Sequence, residues 1–533
     1  MKRYLIYTTG IIVLLTTAVI LTGCHKDLNL QPLNANTSDK QYSTMAGYKQ
    51  VLAKVYGSYS LVSSTGVGNS DVNIAGITDA GTTDFLRAWW NMQELTTDEA
   101  VCAWNDANLQ SFHNINWASS NVLINATYAR SLYQITVCNE FIRESADDKV
   151  AARGFKNADA TEIKHFRAEA RFLRAFQYWV LMDLFGNPPF VTEADPIGKY
   201  IPKQIKRADL FSYVESELKA IDGDLVTPRN NEYARVDQAA AWALLARLYL
   251  NAKVYTGTDR YTDAISYAGK VIGAGYELKE GYKTLFMSDN DQNNKEVILP
   301  VAYDAINSQN YGGTTFLTCS AHGTNPADNQ AYGIPGGGWL GNRSVKTLPQ
   351  VFGDYSGNAD KRALFGPGNL EVNDVLTFND GIAVYKFNNL TSGGATPPSP
   401  NGVLCSIDFP LFRLAEMYLI YAESVLRGGT GGSTATALQY INLLRIRAYG
   451  NSSGNLLSIT LSDILNERMR ELYWEGFRRT DLIRYGQFTG STYLWPWKGG
   501  VKNGTGVDAH YALFPIPAAE IIANPNLQQN TGY

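Results

Sequence analysis

The stretch Ala241-Trp-Ala-Leu-Leu-Ala-Arg-Leu-Tyr-Leu-Asn-Ala252 decides the fold class of this chain. It places Trp, Leu, Ala and Tyr at the offsets W-x2-L-G-x2-Y of a tetratricopeptide repeat, and two alanines in residues 261–274 continue the pattern. Residues 411–427 and 434–449 repeat the arrangement more weakly. Each helix pair can bury its apolar face only against its neighbours. The sequence therefore predicts an all-α, tetratricopeptide-like scaffold of stacked helix pairs.

Further helices are indicated by apolar residues that recur at helical spacing in residues 42–62, 119–143 and 162–185. The last of these segments is apolar around much of its circumference, which is typical of a helix buried among others. Gly186-Asn-Pro-Pro189 follows directly and is expected to end it.

Between about residues 278 and 408 the composition shifts to Gly, Asn, Pro and Thr with scattered aromatics. We expect a single domain over residues 24–533, with a helical scaffold at about 40–277 and 409–490 and a loop-rich insertion between them. A few short strands are expected in the insertion. Long loops on a rigid scaffold are more often a binding surface than a defect.

The first residues have the pattern of an exported lipoprotein. Lys2 and Arg3 precede an apolar run from Leu5 to Ile20, and Leu21-Thr-Gly-Cys24 follows. A run of about 17 apolar residues falls short of the roughly 20 needed to span a bilayer. We expect residues 1–23 to be a signal peptide and the Cys24 thiol to carry a diacylglycerol, so that lipid alone holds the protein to the membrane.

The amino-acid composition limits the classes of ligand that the protein can bind. The net charge of −4, with 46 basic and 50 acidic residues mixed along the chain, gives no basic stripe for nucleic acid. Aromatic residues make up 12% of the chain, and its 32 Tyr and 10 Trp suit a surface that stacks on flat ligand faces. Cys102, Cys138, Cys319 and Cys405 show no C-x-x-C spacing, which disfavours a metal knuckle. We expect buried free thiols, although an exported protein could pair two of them.

Catalytic motifs are missing from the sequence. It has five His and lacks H-E-x-x-H, G-x-S-x-G, a P-loop and a complete G-x-G-x-x-G. Glu471 and Glu475 share a helix face and could be glycosidase carboxylates, but the alternating Glu and Arg of the segment Asn466-Glu-Arg-Met-Arg-Glu471 favour interhelical ion pairs. We expect a protein that is not an enzyme and needs no cofactor for catalysis.

Segments along nearly the whole mature chain resemble the SusD/RagB family of outer-membrane nutrient-binding lipoproteins. These segments are Arg167–Phe176, Leu184–Gly186, Arg413–Glu423, Leu465–Gly476, Asp481–Gly486, Phe514–Pro517 and Asn524–Tyr533. Within the family, Gln93–Glu99, Asn310–Gly313 and Tyr493–Gly500 are most similar to its starch-binding member. The resemblance implies an α-glucan ligand, namely starch and malto-oligosaccharides. It also implies a place on the outside of the outer membrane and a SusC-like TonB-dependent porin as partner.

The resemblance also implies a binding site in which an arc of aromatic side chains is supported by an arginine and an asparagine. The matching residues are Trp104, Tyr311, Trp339, Arg87 and Asn105, and Asn108 could take the role of Asn105. Aromatic faces cover the apolar C–H face of a glucose ring, while Arg and Asn donate hydrogen bonds to its hydroxyls.

A structural calcium site is the one metal site expected. Asp289, Asp291 and Asn293 place oxygen ligands at alternate positions, but the Gly and distal Glu of an EF-hand are missing. The resemblance implies calcium bound at Asp291 and Asp408, with Ser406 where the relative has a third aspartate. A calcium site and a plain polar turn both stay open.

Two other functions remain alternatives: the same scaffold could bind a different glycan, or the protein could be a structural adaptor that binds only the porin. The discriminating feature is whether Trp104, Tyr311 and Trp339 share one exposed surface, because an adaptor has no reason to expose three aromatics together.

Overall fold

The computed structural model describes residues 37–62, 81–198 and 200–533, so the predicted signal peptide and Cys24 lie outside it. Among the described residues, those up to Lys49 belong to one compact unit and those from Gln50 on to another. Apart from α1 Ser38–Gln41 and the first residues of α2 Met45–Gly57, the features below belong to the second unit. Within the described ranges, no helix has the length and apolar character needed to cross a membrane.

The described chain is mostly helical. The helices are α1 Ser38–Gln41, α2 Met45–Gly57, α3 Phe85–Glu94, α4 Ser111–Asn114, α5 Val122–Glu144, α6 Asp147–Ala152, α7 Asn157–Phe185, α8 Arg207–Ala220, α9 Gln238–Leu250, α10 Ala252–Thr256, α11 Tyr261–Ile272, α12 Gly313–Cys319, α13 Pro326–Ala331, α14 Thr347–Val351, α15 Leu414–Leu426, α16 Thr434–Tyr449, α17 Leu461–Leu472, α18 Arg478–Arg484 and α19 Ala518–Ala523. The strands are β1 Val101–Cys102, β2 Val297–Val301, β3 Asn342–Arg343, β4 Phe365–Gly368, β5 Ile382–Val384 and β6 Phe409–Arg413.

The predicted stack of helix pairs is confirmed. Helix α9 packs along α11, α11 packs along α15, and α15 packs along α16, so the two predicted pairs lie side by side. On the other side, α5 packs on α7 and α7 on α8. Ala240, Leu244, Ala264 and Ala268 are fully buried, because small and branched side chains let neighbouring helices approach closely. Helix α7 is buried over most of its length and ends before Gly186, as its composition predicts.

One predicted helix boundary is wrong. Helical spacing suggested a helix from residue 411, but Phe409–Arg413 is strand β6 and the helix begins only at Leu414. Strand β6 pairs antiparallel with β2, with Val297 opposite Arg413. The Leu414 N–H then donates to the Glu296 carbonyl at 2.9 Å, so pairing with the insertion takes the backbone groups that a longer helix would use.

Short strands tie the insertion to the scaffold. Among the described residues the strands form three antiparallel pairs, β1–β3, β2–β6 and β4–β5. Strands β1 and β6 belong to the predicted scaffold, whereas their partners β3 and β2 belong to the insertion. The insertion is therefore fixed to the helices at two places, and it can hold side chains in defined positions.

A buried cluster of charges lies where β2, β6 and α17 meet. The guanidinium of Arg413 contacts Glu296 at 3.0 Å, Glu471 at 2.6 Å and both carboxylate oxygens of Glu475 at 2.7 Å. Its Nη2 also donates to the Glu471 carbonyl at 2.7 Å. All four residues are almost completely shielded from solvent. The Arg413 guanidinium thus binds Glu475 with two parallel hydrogen bonds and Glu296 and Glu471 with one each, and buried ions require such compensation.

More of the chain joins the same cluster. Arg362 of the insertion contacts Glu471 at 3.1 Å, Lys386 of the insertion contacts Glu475 at 2.7 Å, and Arg447 of α16 contacts Glu471 as well. Because Glu471 and Glu475 are buried and engaged in this way, they are not placed to reach a bound sugar. Their reading as ion-pair partners, favoured from the sequence, agrees with the structure.

We predict that Arg413→Ala lowers the free energy of unfolding by about 3 to 5 kcal/mol, because it leaves buried carboxylates uncompensated. Urea denaturation followed by circular dichroism measures the change. The matched control is Lys295→Ala, which removes an exposed ion pair with Glu277 at 3.0 Å and is expected to cost at most about 1 kcal/mol. Equal stabilities of the two variants would contradict the role given to the buried cluster.

Two buried carboxyl groups lie against each other beside the same region. Glu94 Oε1 accepts from the Gly476 N–H at 2.6 Å and Glu99 Oε2 accepts from the Trp474 N–H at 3.1 Å. Burial, and then the charge of Glu99, raises the pKa of Glu94 well above its ordinary value. Burial raises the pKa of Glu99 to about 7. A protonated Glu94 can donate a hydrogen bond to an ionised Glu99. The buried pair is therefore most favourable when the two carboxyl groups hold one proton between them.

We predict that the contribution of the Glu94–Glu99 pair to the free energy of unfolding falls as the pH rises from about 4.5 to about 7. A carboxyl group whose pKa is raised by folding contributes stability below its ordinary pKa, and that contribution is lost as it ionises in the folded state. Glu94→Gln imitates the protonated form and should flatten this dependence. The measurement is the melting temperature across the pH range, and a variant with the same slope as the wild type would refute the shared proton.

Candidate functional site

Three partly exposed aromatic rings, which we call the aromatic arc, meet at the edge of the insertion: Tyr311, Trp339 and Trp104. The ring centroids of Tyr311 and Trp339 lie 6.2 Å apart with an interplanar angle of 65°. Those of Trp339 and Trp104 lie 6.5 Å apart at 47°. The structure thus brings together the three aromatics selected from the sequence, and the tilts between rings make the arc bent rather than flat.

Asp84 positions one end of the arc. Its carboxylate caps the start of α3 by accepting from the Arg87 N–H at 2.9 Å. The same carboxylate accepts from the Asn310 side chain at 2.6 Å and from the Gly313 N–H at 2.8 Å. A Cβ on Gly312 would lie 2.1 Å from the Asp84 Cβ, so only glycine permits this approach. Asp84 therefore holds the turn that carries Tyr311 against the helix that carries Arg87.

Trp104 is positioned by the β1–β3 pair. Strand β1 ends two residues before it, and the Ala103 N–H donates to the Gly341 carbonyl at 2.8 Å. Gly341 has a φ of +118°, and a Cβ there would lie 2.3 Å from the Trp104 indole nitrogen. The chain that carries Trp339 therefore passes directly along the Trp104 ring, because glycine at position 341 leaves room for it.

The other two rings have anchors of their own. The Trp339 N–H donates to the Cys319 carbonyl at the end of α12, at 2.6 Å. The Tyr311 hydroxyl accepts from the Asn401 side chain at 3.1 Å. The backbone of Trp339 and the ring of Tyr311 are thus fixed to different parts of the insertion. This limits the conformational entropy that a ligand would have to remove on binding.

Arg87 lies beneath the arc. Its guanidinium carbon is 5.2 Å from the centroid of Trp104 and 4.8 Å from that of the buried Phe316. Cation–π contacts at these distances hold a guanidinium in place. The ring faces can stack on an apolar face of a ligand. The fixed guanidinium beside them can donate hydrogen bonds to the polar groups at the rim of that ligand.

The two asparagines differ. Asn105 is exposed and directly follows Trp104. Asn108 has a positive φ of 68°, and its side-chain oxygen accepts from the Val122 N–H at 3.0 Å, at the start of α5. The structure thus gives Asn108 a contact with a helix terminus, whereas Asn105 is exposed next to Trp104 in the chain.

Of the residues predicted to bind calcium, Asp291 and Asp408 lie near each other, whereas Asp289 makes its contacts elsewhere. Asp408 accepts from the Tyr303 N–H at 2.9 Å and from the Tyr233 hydroxyl at 2.5 Å. Asp289 instead accepts from the Ser392 N–H at 2.8 Å and its hydroxyl at 2.6 Å.

Burial raises the pKa of Asp408 to about 6, with the nearby charges of Asp291 and Asp304 adding to the effect. Asn293 belongs to a turn whose carbonyls at Gln292 and Asn293 accept from Lys279, at 3.0 and 3.2 Å. In the described part of the chain, no group of three or more His, Cys, Asp or Glu is arranged to hold a metal ion. Calcium at Asp291 and Asp408 therefore stays a prediction from the resemblance.

Sequence reasoning missed the residues that position the site. Asp84, Asn401 and Phe316 carry no motif, and their contacts join segments far apart in the chain. The only signal was the Asn310–Gly313 turn, where two adjacent glycines after an aromatic indicate a close approach of another group.

Comparisons with known proteins agree with this fold. Residues 359–533 match the model of the SusD family, and residues 41–250 match a family described as starch-binding and associating with the outer membrane. The starch-binding protein SusD of Bacteroides thetaiotaomicron is 34% identical over 577 aligned positions, which cover 99% of this chain and 98% of that protein.

Solved structures show the same fold at lower identity. A SusD superfamily protein from Parabacteroides distasonis has a TM-score of 0.70 and 20% identity, with 94% of this chain and all of that chain covered. Surface glycan-binding protein A from B. thetaiotaomicron, in complex with laminarihexaose, has a TM-score of 0.67 and 20% identity, with 91% and 99% covered. Since the match to the starch-binding relative extends over nearly the whole of both chains, this protein belongs to the SusD family of carbohydrate-binding proteins.

Proposed function

We propose that the protein is a non-catalytic lipoprotein of the cell surface that binds starch and malto-oligosaccharides on its aromatic arc. It then passes them to a SusC-like TonB-dependent porin in the outer membrane. The observation that carries the proposal is the arc itself, in which three partly exposed rings follow one another at 6.2 and 6.5 Å with Arg87 beneath them.

The bend of the arc supports a curved ligand. Successive rings are tilted by 65° and 47°, so they present faces that turn along the path. An α-1,4-glucan coils, and its successive apolar faces turn in the same way, whereas the flat ribbon of cellulose would meet only one ring squarely. The whole-chain likeness to a starch-binding relative supports the same choice.

A second ligand is favoured by one observation. A structural neighbour of this chain holds laminarihexaose, a β-1,3-glucan oligosaccharide. That neighbour is 20% identical, so it shows the fold rather than the ligand. Another coiled glucan is therefore the alternative that an experiment has to separate from starch.

We predict saturable binding of maltoheptaose and α-cyclodextrin to the protein produced without residues 1–24, measured by isothermal titration. Trp104→Ala and Trp339→Ala should each weaken binding about 30-fold, equivalent to about 2 kcal/mol, because each removes one of the three stacking faces. The matched control is Trp242→Ala, which removes a partly exposed tryptophan of α9 and should leave the affinity unchanged.

Laminarihexaose and cellohexaose are titrated alongside. Binding of laminarihexaose alone would replace starch by a β-1,3-glucan as ligand. No heat with any of the oligosaccharides, from protein with a native circular dichroism spectrum, would overturn the proposed function and favour an adaptor that binds only the porin.

The proposed anchor is tested separately, because Cys24 lies outside the described residues. We predict that the full-length protein takes up radiolabelled palmitate in growing cells and that Cys24→Ser abolishes the label, since the thiol carries the lipid. Cys102→Ser, at a buried cysteine, is the control and should keep the label. Equal labelling of the Cys24→Ser variant and the wild type would rule out the lipid anchor at Cys24.

A further inference from the structure

Two cysteines that are far apart in the sequence meet behind the aromatic arc. Cys319 is the last residue of α12, and Cys405 lies shortly before β6. Both are buried free thiols in the structure, and both donate to the same acceptor, the Val403 carbonyl, at 3.6 and 3.5 Å. The two thiols are also in contact with each other, and burial followed by that contact raises the pKa of Cys319 well above its ordinary value.

The segments that carry this pair also hold the arc. The carbonyl of Cys319 accepts from the Trp339 N–H at 2.6 Å. The loop that leads to Cys405 carries Asn401, which donates to the Tyr311 hydroxyl at 3.1 Å. Between them, the Cys405 N–H donates to the Thr315 hydroxyl of α12 at 3.0 Å. A covalent link at this point would join the anchors of two of the three rings.

We propose that Cys319 and Cys405 form a disulfide bond in the exported protein and that this bond locks the base of the aromatic arc. The proposal rests on passage out of the cytoplasm into a compartment where disulfides persist, and not on the identity of the ligand. The disulfide closes the chain between residues 319 and 405, which contains most of the insertion, and so restricts the unfolded chain more than a short loop would.

The chemistry is a thiol–disulfide exchange with an oxidant that itself carries a disulfide, such as an envelope thiol oxidase. The thiolate of one cysteine attacks the oxidant's disulfide, forms a mixed disulfide and releases one oxidant thiol. The thiolate of the second cysteine then attacks the mixed disulfide, which forms the Cys319–Cys405 bond and releases the second oxidant thiol. Two protein thiols are oxidised, one disulfide of the oxidant is reduced, and the two protons pass to the released thiolates.

The burial of the two thiols determines at which stage of folding the disulfide forms. A thiol whose pKa is raised by burial provides little thiolate, so the folded, reduced protein reacts slowly. The bond therefore forms while the chain is folding and the loop before Cys405 is still open. Once the arc is in place, the same burial protects the disulfide from external reductants.

The test uses full-length protein purified from the outer membrane. It is denatured in the presence of iodoacetamide, which alkylates free thiols, and in the absence of reductant. Peptide mass spectrometry should then find Cys102 and Cys138 alkylated, and Cys319 and Cys405 in one linked peptide pair that separates only after reduction. The variant Cys102→Ser/Cys138→Ser should keep the link, whereas Cys319→Ser should leave Cys405 alkylated. Complete alkylation of Cys319 and Cys405 in protein that has never been reduced would overturn the proposal.

A second measurement tests the locking. Treatment with a reductant that is strong enough to reduce the buried disulfide should lower the melting temperature of the wild type. The same treatment should not change the melting temperature of Cys319→Ser/Cys405→Ser. Equal shifts in both proteins would show that the bond does not lock this region. Glycan titration of the same samples separates the questions, because loss of the disulfide and loss of glycan binding are read out independently.

Discussion

The contact between Arg413 and the carboxylates of Glu296, Glu471 and Glu475 connects the insertion, the β2–β6 pair and helix α17 at one point. Arg413 ends β6 and precedes α15, Glu296 precedes β2, and Glu471 and Glu475 come from α17 and the turn after it. Burying charges is expensive unless each is paired with good geometry. Only the arrangement in which the insertion, the β2–β6 pair and the helices meet satisfies all of them at once. The cluster therefore selects one docking of the insertion on the scaffold, while apolar burial provides most of the stability.

The same logic recurs on a smaller scale at the site. Asp84 is buried, and it is satisfied only when the start of α3, the Asn310 side chain and the Gly313 backbone surround it. Arg87 and Tyr311 are brought side by side as a result. Polar groups that must find partners in a dry environment thus position the exposed aromatic rings, which could not hold such positions by their own packing.

Features that depend on interactions between residues close in sequence could be predicted, whereas features that depend on distant partners could not. Helical spacing is local, so the bounds of α9, α11 and α16 were predicted to within a few residues. Where a long-range partner decided the outcome, local spacing failed: residues 411–413 pair with β2 and form a strand. The arc residues came from a family resemblance and lie together, but Asp84 and Asn401 act across more than 80 residues of chain and left no local pattern. Asp289 and Asp291 look like one ligand set in the sequence, yet the turn directs Asp289 to Ser392 and leaves Asp291 near Asp408.

The aromatic arc is assembled from segments at residues 104, 311 and 339, which lie in both scaffold and insertion. No single helix or loop contains all three rings, so a ligand that touches all of them recognises only the folded domain. Such a ligand shifts the folding equilibrium of the entire domain by mass action, by about 2.7 kcal/mol at a concentration 100 times its dissociation constant. In an environment rich in its ligand, the protein would therefore resist unfolding and proteolysis better than the same chain deprived of it, and its lifetime would follow the supply of nutrient.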